Sequence, residues 1–489
     1  MISISVPRKK RVLNLVLLAV LTVLALLVQG YHPGAEDDGV YLTAIKKDLH
    51  PTLYPYDSDF FALQLQATVF DKLVAGSVRA THLPLGWTVF AWQCAAIFLV
   101  LWGCRQIACR IFSEPHAQWA AVAMVAVLLT LPVAGTSLYL TDQHLHPRAL
   151  ATAAILFAVA AVLDGRWVRA GLLLAAAFLF HPLMAAFGIS YCFFLSWKAS
   201  ARRAASFMAA TLPLNWILEP TSEPWREAAR TRDYFFFFGW RWYEWVGVGG
   251  PLLLLWWFAR TEGRKNYRAQ KVASRLVYFG VFQLAVAIPI MLFPALDRLK
   301  PFQPMRFLHL LYLLFVLMAG GFIGQRVLRA KPYRWVLLFL PLSAAMFYVQ
   351  RQTFPDTRHL EWPGLPSGNR WLQAFDWVRQ NTPPDSLFAM DPYYMSLPGE
   401  DFHSFRALAE RSMLADYGKD AVVATQVPRL APRWQREFHA LSGWTKFQAG
   451  DFQRLKTAFG VSWVILQAPG VSGLDCPYRN EVVFVCRVP

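Results

Sequence analysis

Charge is scarce in this chain. Only 16% of its 489 residues are Asp, Glu, Lys or Arg, where a globular domain in water carries about a quarter. With 56% hydrophobic residues beside that deficit, an ordinary water-soluble enzyme and a disordered chain are both excluded. Cysteine is scarce too. Six residues with no Cys-x-x-Cys pair make neither a disulfide scaffold nor a thiol zinc or redox motif. There is no repeat of fixed period and no low-complexity segment, which removes a fibrous repeat.

What the sequence has instead is apolar runs. They cover residues 12–28, 83–103, 117–133, 149–163, 168–180, 183–197, 204–218, 243–259, 272–293, 305–325 and 334–349. Several reach the ~20 residues of a membrane-crossing helix, and those between 149 and 218 fall short of it. The first follows Arg8-Lys9-Lys10-Arg11, lacks a small-x-small cleavage site and reads as an uncleaved anchor. The expected fold class is an α-helical polytopic membrane protein of about eleven transmembrane helices with a small C-terminal α/β domain.

The net charge of +17 is an orientation signal and not a nucleic-acid patch. With eleven spans and a cytoplasmic N-terminus, the inner segments are strongly basic and the outer loops are close to balance. Merging the helices on either side of His181-Pro182 would move Lys198-Ala199-Ser200-Ala201-Arg202-Arg203 and the 260–275 cluster outside, against the positive-inside bias. Trp240, Trp242, Trp245, Trp256 and Trp257 read as anchors at the membrane–water boundary.

Two domains are expected. Residues 1–350 hold the membrane part, with an outer loop at 31–82, and residues 351–489 form an extracytoplasmic α/β domain. Within the latter, 371–380, 405–414 and 433–441 read as helices, and 386–390, 461–466 and 482–485 as strands. Cys476 and Cys486 stand where a small loop can be closed by a disulfide in an oxidising compartment. Cys94, Cys104, Cys109 and Cys192 lie in or beside spans and read as inert thiols.

The candidate chemistry sits in the outer loops, because charge inside hydrocarbon is costly. Glu36-Asp37-Asp38 follows the first span by a few residues. Massed carboxylates raise one another's pKa unless a cation, a metal or a substrate proton compensates; a solvated loop edge is the plain alternative. An amphipathic stretch at 60–74 can lie along the interface. A second loop, Thr141-Asp142-Gln143-His144-Leu145-His146-Pro147-Arg148, gathers an acid, two imidazoles and a guanidinium. On an extended segment His144 and His146 share a face, as two metal ligands or as hydrogen-bond partners for phosphate and sugar hydroxyls. Arg148, Arg241 and Arg306 are candidates to hold a phosphate, each with a snorkelling role as the alternative. His181 either lines a cavity or satisfies backbone beside Pro182.

An opening span followed directly by Glu36-Asp37-Asp38, a long outer loop with interfacial helices, and Trp377-Val378-Arg379-Gln380-Asn381-Thr382-Pro383 near the start of an outer domain resemble the GT-C superfamily. These are polytopic glycosyltransferases such as protein O-mannosyltransferases and the oligosaccharyltransferases. The chain is also similar to uncharacterised bacterial membrane proteins near them. The resemblance implies a bacterial inner-membrane enzyme that moves a sugar from a polyprenyl-phosphate donor to an acceptor hydroxyl or amide with inversion. Its partners are that donor and the membrane lipids, with no nucleic acid. One carboxylate of modestly raised pKa serves as general base: Asp37 first, then Asp38, with Glu36 orienting or metal-binding. Any metal is Mg²⁺ or Mn²⁺ rather than zinc, drawn to oxygen-rich Glu36, Asp37, Asp38 and Asp142 with His144. The rival expectations are a transporter or lipid-handling protein, and an inactive assembly component of the same fold.

Overall fold

The computed structural model describes residues 8–197, 219–261 and 266–489; the apolar run 204–218 lies outside them. The chain is mostly helical, with one small sheet near its C-terminus. Among the described residues five helices are long and apolar enough to cross a membrane: Lys9–Gln29, Leu85–Ile111, Tyr267–Leu292, Pro304–Leu328 and Pro332–Thr353. Pro147–Leu163, Trp167–Phe180 and Pro182–Ser196 are apolar but shorter, and Pro115–Val127 has 13 residues. At about 1.5 Å per residue such helices reach about 20–26 Å, less than the ~30 Å hydrocarbon core. Trp242–Thr261 carries Pro251 inside it.

We label the N-terminal helices α1 (Arg8–Gln29), α2 (Asp38–Leu49), α3 (Asp59–Ala67), α4 (Phe70–Thr81), α5 (Leu85–Ile111), α6 (Pro115–Val127), α7 (Pro147–Leu163), α8 (Trp167–Phe180) and α9 (Pro182–Ser196). The break at His181-Pro182 separates two helices. Pro182 has no N–H to give to α8, and His181 Nδ1 accepts the Met184 N–H at 3.4 Å to cap α9. The stretch expected as one amphipathic helix at 60–74 is two, parted at Thr68, whose backbone is extended.

In the C-terminal region the strands are β3 (Leu387–Ala389), β4 (Ser412–Met413), β5 (Trp463–Gln467), β6 (Asp475–Arg479) and β7 (Val483–Arg487), after a small pair β1 (Pro132–Val133) and β2 (Leu138–Tyr139) in the membrane part. Their order is β4-β3-β5-β7-β6. β3 runs parallel to β4 and β5, and β7 antiparallel to β5 and β6. Helix Arg370–Asn381 covers it with Trp371, Phe375 and Val378 against Phe388 and Val485. Cys476 and Cys486 are disulfide-bonded. The helix expected at 405–414 stops at Ala409 because Glu410 turns left-handed (φ 55°), and the chain then pairs as β4.

The C-terminal region is clasped to the loop after α1. Glu36 N–H donates to Phe402 O at 2.8 Å and Ser404 N–H to Gly34 O at 2.7 Å. Gly34 has φ +86°, and a Cβ there would meet Leu408 Cδ2 at 2.7 Å, so only glycine permits this approach. A shared apolar core then joins three segments: Phe60 and Phe61 of α3, Trp225 and Phe235, and Ala421 and Trp434.

Candidate active site

Glu36, Asp37 and Asp38 stand at the N-terminus of α2, where the helix dipole favours negative charge. Folding turns Asp38 away from the other two carboxylates. Lys419 Nζ bridges Glu36 Oε2 at 2.7 Å and Asp37 Oδ1 at 2.9 Å. Asp37 Oδ2 lies 3.3 Å from His146 Nε2. Asp38 is 2% exposed and accepts the Gly34 N–H at 2.8 Å instead of facing outward.

The imidazole contact has a defined sense. His146 caps α7, and its Nδ1 accepts the Arg148 N–H at 2.9 Å. The proton of the neutral ring therefore sits on Nε2 and points at Asp37. Burial, helped by the nearby Arg148 charge, keeps that ring neutral by lowering its pKa to about 4. Tyr41 packs edge-on against it, with centroids 4.7 Å apart. Asp142 is held by Arg148, whose Nη2 reaches both carboxylate oxygens at 2.7 Å. Burial would raise Asp142, but Arg148 and the two imidazoles outweigh it and bring it to about 2.

The same competition separates the two adjacent aspartates. Burial pushes Asp38 up to about 6. Burial would raise Asp37 as well, but Lys419, the His146 hydrogen bond and Arg148 together hold it well below the usual carboxylate range. This differs from the modestly raised pKa expected for a base at Asp37. The reason is a lysine from the far end of the chain, which no local pattern announces. It is also the compensating cation that three massed carboxylates call for.

Asp37 opens into a cavity of about 740 Å³, lined also by Glu36, His144, Arg148, Arg306 and Lys419. His144 Nε2, Arg148 Nε and Nη1, and Arg306 Nε are buried without a hydrogen-bond partner among the described residues. An unmet guanidinium N–H costs about 1–3 kcal/mol or more, so Arg148 and Arg306 make the cavity chemically suited to an anion. A second cavity of about 610 Å³ lies against the first. Phe180, Leu183, Trp225, Phe302 and Pro428 make it apolar, and it shares Tyr41, Gln303 and Arg306 with the polar one.

Other expected residues fall elsewhere. His181 lines the apolar groove, not the polar cavity. Arg241 is exposed, reaches Tyr243 Oη at 3.4 Å, and does not line the polar cavity itself; it borders a hollow of about 310 Å³ that adjoins that cavity along Arg232, Tyr234 and Glu244. The oxygen-rich metal set is otherwise engaged, Glu36 and Asp37 with Lys419, Asp38 with Gly34, and Asp142 with Arg148. Among the described residues the group of His, Cys, Asp and Glu close enough to share an ion is a different one, His32, Glu361 and His403.

Fold and site define a helical protein with helices long and apolar enough to cross a membrane and an acidic, cation-lined cavity closed on one side by a C-terminal α/β region. Residues 369–441 match a family described as a domain of unknown function, DUF6798, and this matched part supplies Lys419 and His403. No curated protein matches the chain.

Proposed function

We propose that the chain is a GT-C-type glycosyltransferase that moves a sugar from a polyprenyl-phosphate donor to an acceptor hydroxyl or amide. In this reading all eleven apolar runs cross a bacterial inner membrane, the N-terminus is cytoplasmic, and the cavity faces the extracytoplasmic side. The observation that carries it is the junction of the polar cavity with the apolar groove at Tyr41, Gln303 and Arg306. A lipid-phosphate sugar is an apolar chain joined to a polar head through a phosphate, and Arg306 is the cation common to both surroundings.

The acceptor's hydroxyl oxygen, or the nitrogen of an amide, attacks the anomeric carbon as Asp37 takes its proton. The bond from that carbon to the phosphate oxygen breaks, its electron pair leaves with the phosphate, and the configuration inverts. No general acid is needed, because a phosphate is already a good leaving group. Arg148 and Arg306 stabilise the charge that develops on it. His146 holds Asp37 in one orientation through Nε2–H. An anionic donor competes for Lys419, and loss of that contact brings Asp37 back toward the pKa of a working base.

The test compares Asp37→Asn with Asp38→Asn in membranes supplied with polyprenyl-phosphate sugars. Asp37→Asn is expected to lower transfer by about 10²–10⁴-fold at unchanged protein abundance, with Asp38→Asn far milder. Full transfer by Asp37→Asn removes the base assignment. Wild-type protein that binds the lipid without transferring sugar is instead a lipid-handling protein or an inactive assembly component with the same two cavities.

A further inference from the structure

Outside the cavity, three residues from distant parts of the chain meet in one buried spot. His32 follows α1, Glu361 follows the helix Pro332–Thr353, and His403 belongs to the C-terminal region. His32 Nδ1 lies 2.7 Å and His403 Nε2 3.0 Å from the same oxygen, Glu361 Oε1. Both imidazole side chains are 0% exposed, and the Glu361 side chain is 14% exposed.

We propose that His32, Glu361 and His403 form a binding site for one divalent transition metal, zinc above all. The three ligand atoms lie within 4.8 Å of one another. In a four-coordinate site, ligands about 2.1 Å from the ion stand about 3.4 Å apart, so each imidazole draws back from Glu361 Oε1 by about 0.4–0.7 Å and the two imidazoles close from their present separation of at most 4.8 Å. Two imidazoles and one carboxylate are a donor set that zinc accepts and that magnesium or calcium does not favour.

The backbone around the site is arranged in advance. Tyr31 pairs with Leu360 and Ala35 with His403 as isolated bridges, each at or beside a ligand. His403 turns its other nitrogen, Nδ1, to Glu400 O at 3.3 Å, the outer-shell contact that orients metal-bound histidines. The His32 ring stacks on Phe354 at 3.9 Å. Glu361 also borders a hollow of about 610 Å³ beside Pro33 and Trp362, which gives the ion an access route and water for a fourth position. A metal here ties the loop that bears Glu36-Asp37-Asp38 to the C-terminal region, one residue from the Glu36–Phe402 hydrogen bond. This site stands or falls independently of glycosyl transfer.

The experiment is zinc analysis of the full-length protein in detergent, purified, exposed to zinc chloride and desalted, alongside His403→Gln and Glu361→Gln. About one zinc per wild-type chain, reduced more than tenfold in the variants, is expected, with a chelator lowering the melting temperature and zinc restoring it. A cobalt(II) titration of the wild type needs no variant to fold, and should show the intense visible bands of a four-coordinate nitrogen–oxygen site. Wild-type protein that retains no zinc above buffer, or a cobalt titration without those bands, overturns the proposal and leaves two imidazoles simply donating hydrogen bonds to Glu361.

Discussion

The two cavities that meet at Arg306 are close in size, about 740 and 610 Å³, and opposite in chemistry. One gathers Asp37, His144, Arg148 and Lys419; the other is walled by Phe180, Leu183, Trp225 and Phe302. A ligand that fills both must itself be divided into a charged head and an apolar chain. The contrast also shows where each side came from. Phe180 and Leu183 of the apolar wall come from the apolar helices α8 and α9, but Trp225, Phe302 and Pro428 come from outside them, so both walls join residues from distant stretches of sequence.

The contrast can be broken first at its junction. Arg306→Ala removes the cation common to both cavities, and a lost charge-assisted hydrogen bond to phosphate raises KM for a lipid-phosphate sugar by about 10–100-fold. Transfer kinetics with varied donor check it. Sharpening comes from the apolar side alone. Ala186 is exposed within the groove, so Ala186→Trp fills it and should weaken a long-chain donor by about tenfold while sparing a short-chain analogue. Equal loss with both donors contradicts a lipid groove.

On the polar side Lys419→Gln removes the ammonium that keeps Asp37 low. The acidic limb of the pH–rate profile should move to higher pH. The smallest effect is expected at Asp38. An acid raised from 3.8 to about 6 binds its proton more tightly when folded, so stability declines as pH climbs through that window and stays lower above it. Asp38→Asn keeps an acceptor for Gly34 N–H without the buried charge. Its melting temperature at pH 8 should exceed the wild-type value by about 2–4 °C, with a flatter profile between pH 4 and 6. Thermal melts across pH in detergent measure both features.

Much of the helical part was legible along the chain, since hydropathy alone marks α1, α5 and the helix Pro332–Thr353. Helix ends were less so: the run expected at 117–133 stops at Val127 and turns into the small β1–β2 pair. Strands Trp463–Gln467 and Val483–Arg487 were visible as apolar runs, but β4 was hidden inside an apparent helix. Its turn depends on Glu410 adopting a left-handed backbone, which propensity does not foresee. At the site, the acidic triplet and the 141–148 loop were conspicuous because their polar residues crowd an otherwise apolar chain. Lys419 and Glu361 carried no such mark, each being one charged residue among many in a region of ordinary composition.

The order of residues by itself determined which helices are apolar enough to cross a membrane and where two short polar loops interrupt them, because hydropathy and charge are summed locally. Which carboxylate faces the cavity, which cation restrains it, and that Tyr41, Gln303 and Arg306 stand between polar and apolar surroundings were decided only by tertiary structure. Electrostatic and hydrogen-bond energies depend on distances of a few ångströms, and those distances join residues up to 383 positions apart.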